Sequence, residues 1–169
     1  LLKEDFKDLI TVINDDILNF DENSLCDERL IVFGNLPYNI STEILCKWIL
    51  NLNDKKIWFK NLILMFQKEV ADRIISEHNS SKYGRLSILA NWKLEIKKIF
   101  DIPSDAFIPQ PKVKSSVIQL KPLRKPLYDV SFESIEKITQ MAFSQRRKMI
   151  KTSLKSINGE IILKDLDIS

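Results

Sequence analysis

The stretch "IVFGNLPYNIST", residues 31–42, decides how the chain is read. Its apolar run Ile31, Val32, Phe33 stops at Gly34, and an asparagine, a leucine, a proline and a tyrosine follow before a helix begins. Apolar β-formers bounded by a glycine predict a buried strand, here "RLIVF", 29–33. Past the turn, Ile44, Leu45, Trp48, Ile49 and Leu52 recur at helical spacing. Ser41 is placed to cap that helix, and Glu43 lies in its first turn, where the helix dipole favours a carboxylate. The segment reads as strand, turn, helix.

Outward from it the same unit repeats. "ITVI" (10–13) is a short β-type run ending at Asn14, Asp15 and Asp16, and "NLILMF" (61–66) is another. "KEVADRIISEH" (68–78) predicts a helix with Val70, Ile74 and Ile75 on one face, and "RLSILANW" (85–92) a further helix. "LEIKKIFDI" (94–102) and "KSSVIQLKPL" (114–123) alternate as strands. The short Pro-containing link between them predicts an antiparallel hairpin. The expected fold is therefore α/β, a mostly parallel sheet with helices on both faces and that hairpin at its end. In such sheets ligands collect outside the carboxyl ends of strands, where Asp16 and Asn35 both fall. From Ser131 the pattern turns helical only (Ile135, Ile138, Ala142, then Ile150, Leu154, Ile157), so a boundary is placed at 125/126, with residues 1–125 in the α/β part and 126–169 in a small helical one.

Composition bounds the function classes. A chain of 169 residues, 44% hydrophobic, suits one ordinary domain with a small appendage. No run approaches the roughly 18 apolar residues of a membrane span, and "LLKEDFKDLI" has no signal-peptide pattern, so a soluble cytoplasmic protein is expected. Cys26, Cys46 and the single His78 are too few for a zinc cluster, and both cysteines are expected as buried free thiols. Residues 1–28 carry nine acids against two lysines, whereas residues 29–169 carry 24 basic side chains against 14 acids. A basic body points weakly to an anionic partner.

The turn itself has a chemical reading. An exocyclic amine such as that of adenine is a poor nucleophile because its lone pair is delocalised into the ring. An enzyme alkylating it must accept its hydrogens and hold it in line with the electrophile. An Asn carboxamide and a backbone carbonyl fixed by a proline supply the acceptors, and an adjacent aromatic supplies a stacking wall for a flipped-out base. Asn35, Leu36, Pro37 and Tyr38 meet that requirement in order. Asn and Pro are also common turn formers, so the tetrapeptide alone fits a plain turn equally well.

With its surroundings, the segment resembles the small-subunit ribosomal RNA adenine dimethyltransferases, the KsgA family. The resemblance rests on "VFGNLPYNIST" (32–42), "MFQKEVADRI" (65–74), "YGRLSILANW" (83–92), "IPSDAFIPQPKVKSSVIQL" (102–120) and "AFSQRRKMIKTSL" (142–154), in collinear order. It implies a class I, Rossmann-like methyltransferase that uses S-adenosylmethionine to place two methyl groups on N6 of each of two adjacent adenosines near the 3′ end of small-subunit RNA. The implied partner is that RNA within a pre-ribosomal subunit, met by a monomer needing no metal. Carried over, Asn35 and Leu36 would hold the target amine, Pro37 would fix the turn, Tyr38 would stack on the base and Phe107 would close its other face. Asp16 would bind the adenine of the cofactor, and Asn35 would line the methyl-donor side.

No strong base is needed, since a sulfonium is an activated donor and the amine can lose its proton after transfer. Asp15 and Asp105 are accordingly read as solvated or capping acids, and Lys68 and Glu69 as surface or structural. Phe107 has a competing reading as a core aromatic. Lys112 and Lys114 flank its loop, and Arg146, Arg147, Lys148, Lys151 and Lys155 are read as an RNA phosphate track, with Lys148, Lys151 and Lys155 forming one stripe of a helix.

Only three glycines are present, so the Gly-rich cofactor loop of the family is missing, as is its ribose-binding acid. The chain is therefore expected to be an internal piece of a longer enzyme, lacking the first cofactor-binding strands and the last helices, and inactive on its own. Two alternatives stay open. One is a large-subunit RNA adenine methyltransferase of the macrolide-resistance type; the other is a non-catalytic RNA-binding ribosome-assembly factor.

Overall fold

The computed structural model describes residues 9–52, 57–145 and 148–166. The run at residue 30 forms β1 (Leu30–Asn35), which extends past Gly34 to carry the asparagine at its end. The apolar periodicity after the turn forms α1 (Ser41–Leu50), and β2 (Phe59–Gln67) passes without a loop into α2 (Lys68–Ile74). α3 (Arg85–Lys93) runs directly into β3 (Leu94–Ile102), and β4 is Ser115–Pro122. Beyond β4 the described residues hold helices and no strand: α4 (Phe132–Ser144), α5 (Ile150–Ser153) and α6 (Gly159–Asp165).

The strands lie in the order β1-β2-β4-β3. β1 pairs parallel to β2, with Asn35 opposite Met65, and β4 pairs antiparallel to both β2 and β3. The expected antiparallel hairpin is present, but the described strands do not form a mostly parallel sheet. β4 returns through loop 103–114 and inserts between β2 and β3, so both of its pairings are antiparallel.

One face of this mixed sheet is covered. Leu62, Leu64 and Phe66 of β2 and Ile118 and Leu120 of β4 are fully buried together with Ile44, Leu45 and Ile49 of α1 and Ile74 of α2. Burying each such side chain stabilises by about 1.5–3 kcal/mol. Strand alternation sends Ile31 and Phe33 of β1 to the other face, where they are 54% and 75% exposed. Helices on both faces are thus not seen among the described residues.

Three local expectations are corrected. "ITVI" (10–13) is not a strand: it pairs with none of β1–β4, and a run without a neighbour to take its backbone groups has no ladder to join. Ser41 is the first helical residue rather than the cap; Ile40 holds the cap position, and the Ser41 hydroxyl donates instead to Tyr38 O at 3.2 Å. The helix expected over 68–78 stops at Ile74.

Interlocking hydrogen bonds join the helical layer. Ser87 Oγ donates to Arg73 O at 2.6 Å and accepts from the Gly84 N–H, fixing the start of α3 against the end of α2. Lys93 Nζ donates to Leu52 O at 2.6 Å, satisfying a carbonyl just past α1. The chain after β4 leans on α3 and the turn before it through the Tyr83 and Phe143 rings, the Arg85–Glu136 pair and a bond from Trp92 Nε1 to Tyr128 O.

Candidate active site

At the carboxyl end of β1 the backbone is brought close to β2. A Cβ added at Gly34 would stand 2.7 Å from Leu64 Cδ2 and 3.1 Å from Leu36 Cδ2, so any larger residue here would have to displace these side chains. Asn35 follows with an exposed side chain, and among the described residues nothing hydrogen-bonds its carboxamide. Leu36 is half-buried against the core, which anchors the turn from inside. Pro37 is exposed and its carbonyl accepts from Ile40 N–H at 3.2 Å, closing the turn. Tyr38 is half-buried, and its hydroxyl shares a 2.5 Å hydrogen bond with Ser115 Oγ.

That bond reaches the foot of the loop between β3 and β4. The loop opens with a 3-10 turn, Ser104–Ala106, and Phe107 N–H donates to Ser104 O. Gln110 Nε2 donates to Ser104 Oγ at 3.0 Å, and the Ile108–Pro109 peptide is cis. Phe107 is half-buried and lies outside the buried cluster, while Lys112 and Lys114 are exposed. Asp105 is exposed as well.

Asp16 sits in an exposed turn. Its Oδ1 accepts from Leu18 N–H at 3.0 Å and its Oδ2 from Asn19 Nδ2 at 2.8 Å, while Asp15 Oδ1 accepts the Asp16 N–H. The turn is clamped to α1 by a side chain that no sequence motif singles out. Lys47 Nζ donates to Ile17 O at 2.8 Å, to Phe20 O, and to Glu22 Oε1 at 2.8 Å. Glu22 is buried, and its Oε1 also accepts from Trp48 Nε1 at 2.6 Å. Since α1 begins three residues after Tyr38, Lys47 ties the Asp16 turn to the element that follows the Asn35 turn.

A second unforeseen cluster lies where β2 meets α2. Asp101 Oδ2 accepts from Lys68 Nζ at 2.7 Å, and its Oδ1 accepts from Lys98 Nζ and Ser116 Oγ at 2.6 Å each. Asp72 is paired to Lys82 at 2.6 Å and lies 3.7 Å from both Lys68 and Lys98. Hydrogen bonds from Lys68, Lys98 and Ser116 hold the Asp101 carboxyl far below the ordinary carboxylate range, and the bond to Asp101 raises the Lys68 ammonium. Burial pushes Asp72 up, but Lys82, Lys68 and Lys98 outweigh it and leave it below its ordinary value. Glu69 pairs with Arg73 one turn along α2.

Other expectations fare unevenly. Arg146 and Arg147 lie outside the described residues, as do Leu1–Asp8. Lys148, Lys151 and Lys155 are exposed, but they fall in a bend, a four-residue helix and a 3-10 turn, so the single helical stripe is broken. Cys26 is exposed rather than buried. Cys46 is half-buried, and burial pushes its thiol up, opposed by Arg85 and aided by Glu136 and Glu43. Among the described residues no cluster of ligands could hold a metal, and no helix is long and apolar enough to cross a membrane.

The serine pair "SS" at 115–116 was the signal available for part of this. Two adjacent small hydroxyls on a strand point to opposite faces, and here one meets Tyr38 and the other Asp101.

The chain as a whole is similar to known proteins. The family profile described as "Ribosomal RNA adenine dimethylase" matches residues 1–167. The chain is similar to "Ribosomal RNA small subunit methyltransferase A" of Pelagibacter ubique, at 53% identity over 99% of this chain and 64% of that protein. The protein of the same name from Wolbachia pipientis is 47% identical over 89% of this chain and 55% of its own length. The chain thus spans about three fifths of the curated relatives it matches. Among solved structures, a dimethyladenosine transferase from Plasmodium falciparum superposes with a TM-score of 0.66 at 30% identity, over 74% of this chain and 44% of that one. The 23S rRNA methyltransferase ErmE superposes over 99% of this chain and 68% of that one, with a TM-score of 0.68. Its 21% identity is evidence of fold alone.

Proposed function

The chain belongs to the ribosomal RNA adenine dimethylase family, and on that premise we propose that its full-length protein transfers methyl groups from S-adenosylmethionine to N6 of two adjacent adenosines near the 3′ end of small-subunit ribosomal RNA. The observation that carries the reading is the turn at the end of β1, where an exposed Asn35, its carboxamide without a hydrogen-bond partner among the described residues, precedes an aromatic fastened to the foot of the Phe107 loop.

The chemistry asked of these residues is positional. Asn35 Oδ1 and Leu36 O accept the two hydrogens of the target amine and direct its lone pair, with Pro37 restricting the carbonyl's orientation. Tyr38 and Phe107 stack on the two faces of the extruded base. The residues fit the cofactor at its adenine end. Each Asp16 oxygen accepts one hydrogen bond, which leaves acceptor capacity on an exposed carboxylate for an adenine amine. S-Adenosylmethionine, when bound, supplies a sulfonium-activated methyl group. Asn35 lines the side from which that methyl arrives, and no side chain is required to remove a proton before transfer.

In this reading residues 1–125 form the C-terminal part of a class I methyltransferase domain, and residues 126–169 begin a helical one. Lys112, Lys114, Arg146, Arg147, Lys148, Lys151 and Lys155 contact RNA phosphates. The protein works as a cytoplasmic monomer on a pre-ribosomal subunit.

The test is methyl transfer from labelled S-adenosylmethionine to under-methylated small subunits, with large-subunit RNA in parallel. Label in adenosines of the small-subunit RNA is the expected result. Label confined to large-subunit RNA, or RNA binding without transfer, would overturn the assignment.

A further inference from the structure

The Lys68 cluster has no place in the chemistry above, yet it brackets the loop that carries Phe107. The backbone N–H of Lys68 donates to Lys114 O at 2.8 Å, at the last residue of that loop. Its Nζ donates to Asp101 Oδ2 at 2.7 Å, one residue before β3 ends and the loop begins. One residue, the first of α2, therefore grips both ends of the loop.

The sheet is shaped to allow this. In a regular strand Lys98 and Asp101, three apart, would point to opposite faces. The β3–β4 register slips between Lys98 and Phe100, so that Lys98 faces Ile118 while Asp101 faces Ser116. Ile118 and Ser116 share the buried face of β4, and the bulge at Ile99 thus brings Lys98 and Asp101 onto one side. Lys98 Nζ then lies 2.6 Å from Asp101 and 3.7 Å from Asp72, and the carboxylate of Asp101 accepts from Lys68, Lys98 and Ser116. Meanwhile Ser115, adjacent to Ser116, is taken by Tyr38 on the opposite face.

The geometry points to Lys68 as a positioning residue. Through Asp101 and Lys114 it holds loop 103–114 so that Phe107 is presented to the base stacked on Tyr38. The inference rests on the proposed adenine-methylating function and adds to it the device that sets the second wall of the base pocket. A lysine beside an RNA site would ordinarily be assigned to a phosphate. Here its ammonium is already engaged by Asp101, with Asp72 at 3.7 Å.

The test uses the full-length protein with Lys68→Met, Lys68→Arg and the double variant Lys68→Met/Lys98→Met. Hydrogen exchange of loop 103–114 is read beside methyl transfer. In Lys68→Met the loop amides exchange faster by about two- to five-fold, the scale of one partly exposed ion pair, while those of β2 and β4 are unchanged. The loss in turnover falls on kcat, the salt dependence of RNA binding stays at the wild-type slope, and Lys68→Arg restores most of both readouts. The double variant shows a larger effect on the same amides. Unchanged loop exchange in both Met variants would overturn the proposal, and so would a shallower salt slope, which would make Lys68 a phosphate ligand. Wild-type protein that transfers no methyl to small-subunit RNA would overturn the proposed function instead, and exchange would still decide the role of Lys68.

Discussion

The Tyr38 hydroxyl and Ser115 Oγ stand 2.5 Å apart across 77 residues of chain. This bond fastens the turn after β1 to the strand that follows the Phe107 loop, and Ser115 itself is fully buried. The turn that carries Tyr38 is thereby fixed to β4, the strand into which the Phe107 loop runs.

Removing that hydroxyl while keeping the ring separates anchoring from stacking. Tyr38→Phe is expected to lower stability by about 1–3 kcal/mol, the cost of leaving the buried Ser115 hydroxyl without its partner, with a few-fold loss in kcat/KM. Tyr38→Ala also removes the stacking platform, about 1–3 kcal/mol more in kcat/KM. Steady-state kinetics beside urea unfolding would check this, and equal losses in the two variants would mean that the ring does not stack.

Phe107 is half-buried and outside the core cluster, so its truncation should be felt in turnover before folding. Phe107→Ala is expected to cut kcat/KM by about 1–3 kcal/mol and to leave the unfolding free energy within about 1 kcal/mol of wild type. A collapse of thermal stability would return the residue to the core.

Gly34→Ala would put a methyl against Leu64 and Leu36. Leu64 is fully buried and cannot retreat into solvent, so about 1–3 kcal/mol of destabilisation is expected from overpacking. Leu36 belongs to the turn itself, so its displacement should also weaken methyl transfer at temperatures where the variant is fully folded. Wild-type stability with wild-type kinetics would show that the close approach is easily relieved.

The sequence made the local elements legible, because β2, α3, β3 and β4 each carry a periodicity that their own residues determine. "LEIKKIFDI" became β3 residue for residue. Strand direction was not legible in the same way. That β4 lies between β2 and β3 is a long-range pairing, and the alternation of apolar residues carries no information about which neighbour is parallel. "ITVI" failed for a related reason, since β propensity describes fitness for a pleated surface and supplies no partner. At the site, the turn motif was visible because its four residues are contiguous. Lys47 with Glu22, and Lys68 with Asp101, were not, because each is a pair of ordinary surface-type residues made specific by folding, and in the second case by a one-residue bulge.

The basic residues after α4 are dispersed over a bend and two short helical turns. If they contact RNA they should act as separate phosphate ligands and not as a single stripe. Lys148→Glu, Lys151→Glu and Lys155→Glu are each expected to weaken binding and to reduce the slope of log K against log salt by about 0.7–0.9 for each phosphate no longer neutralised. Their effects should add. Filter-binding titrations between low and moderate salt check this, and an unchanged slope in all three would remove this segment from the interface.

Asp101 gives a pH signature. Its carboxyl is held well below the ordinary value of 3.8 by Lys68, Lys98 and Ser116, so it ionises more readily in the folded chain than in the unfolded one. The stabilisation is complete above the unfolded value and is lost as the pH falls through the folded one. The partner, Lys68, is raised above its ordinary 10.5, so its share is complete below that value and is lost only in stronger alkali. The stability difference between wild type and Asp101→Asn should then be level from about pH 5 to about pH 9 and narrow steadily below the ordinary carboxylate value. Denaturant unfolding of both proteins across that range measures it. A difference that vanished already near neutral pH would mean that the carboxylate cluster contributes nothing to the fold, and the loop it brackets would have to be held by the β ladder alone.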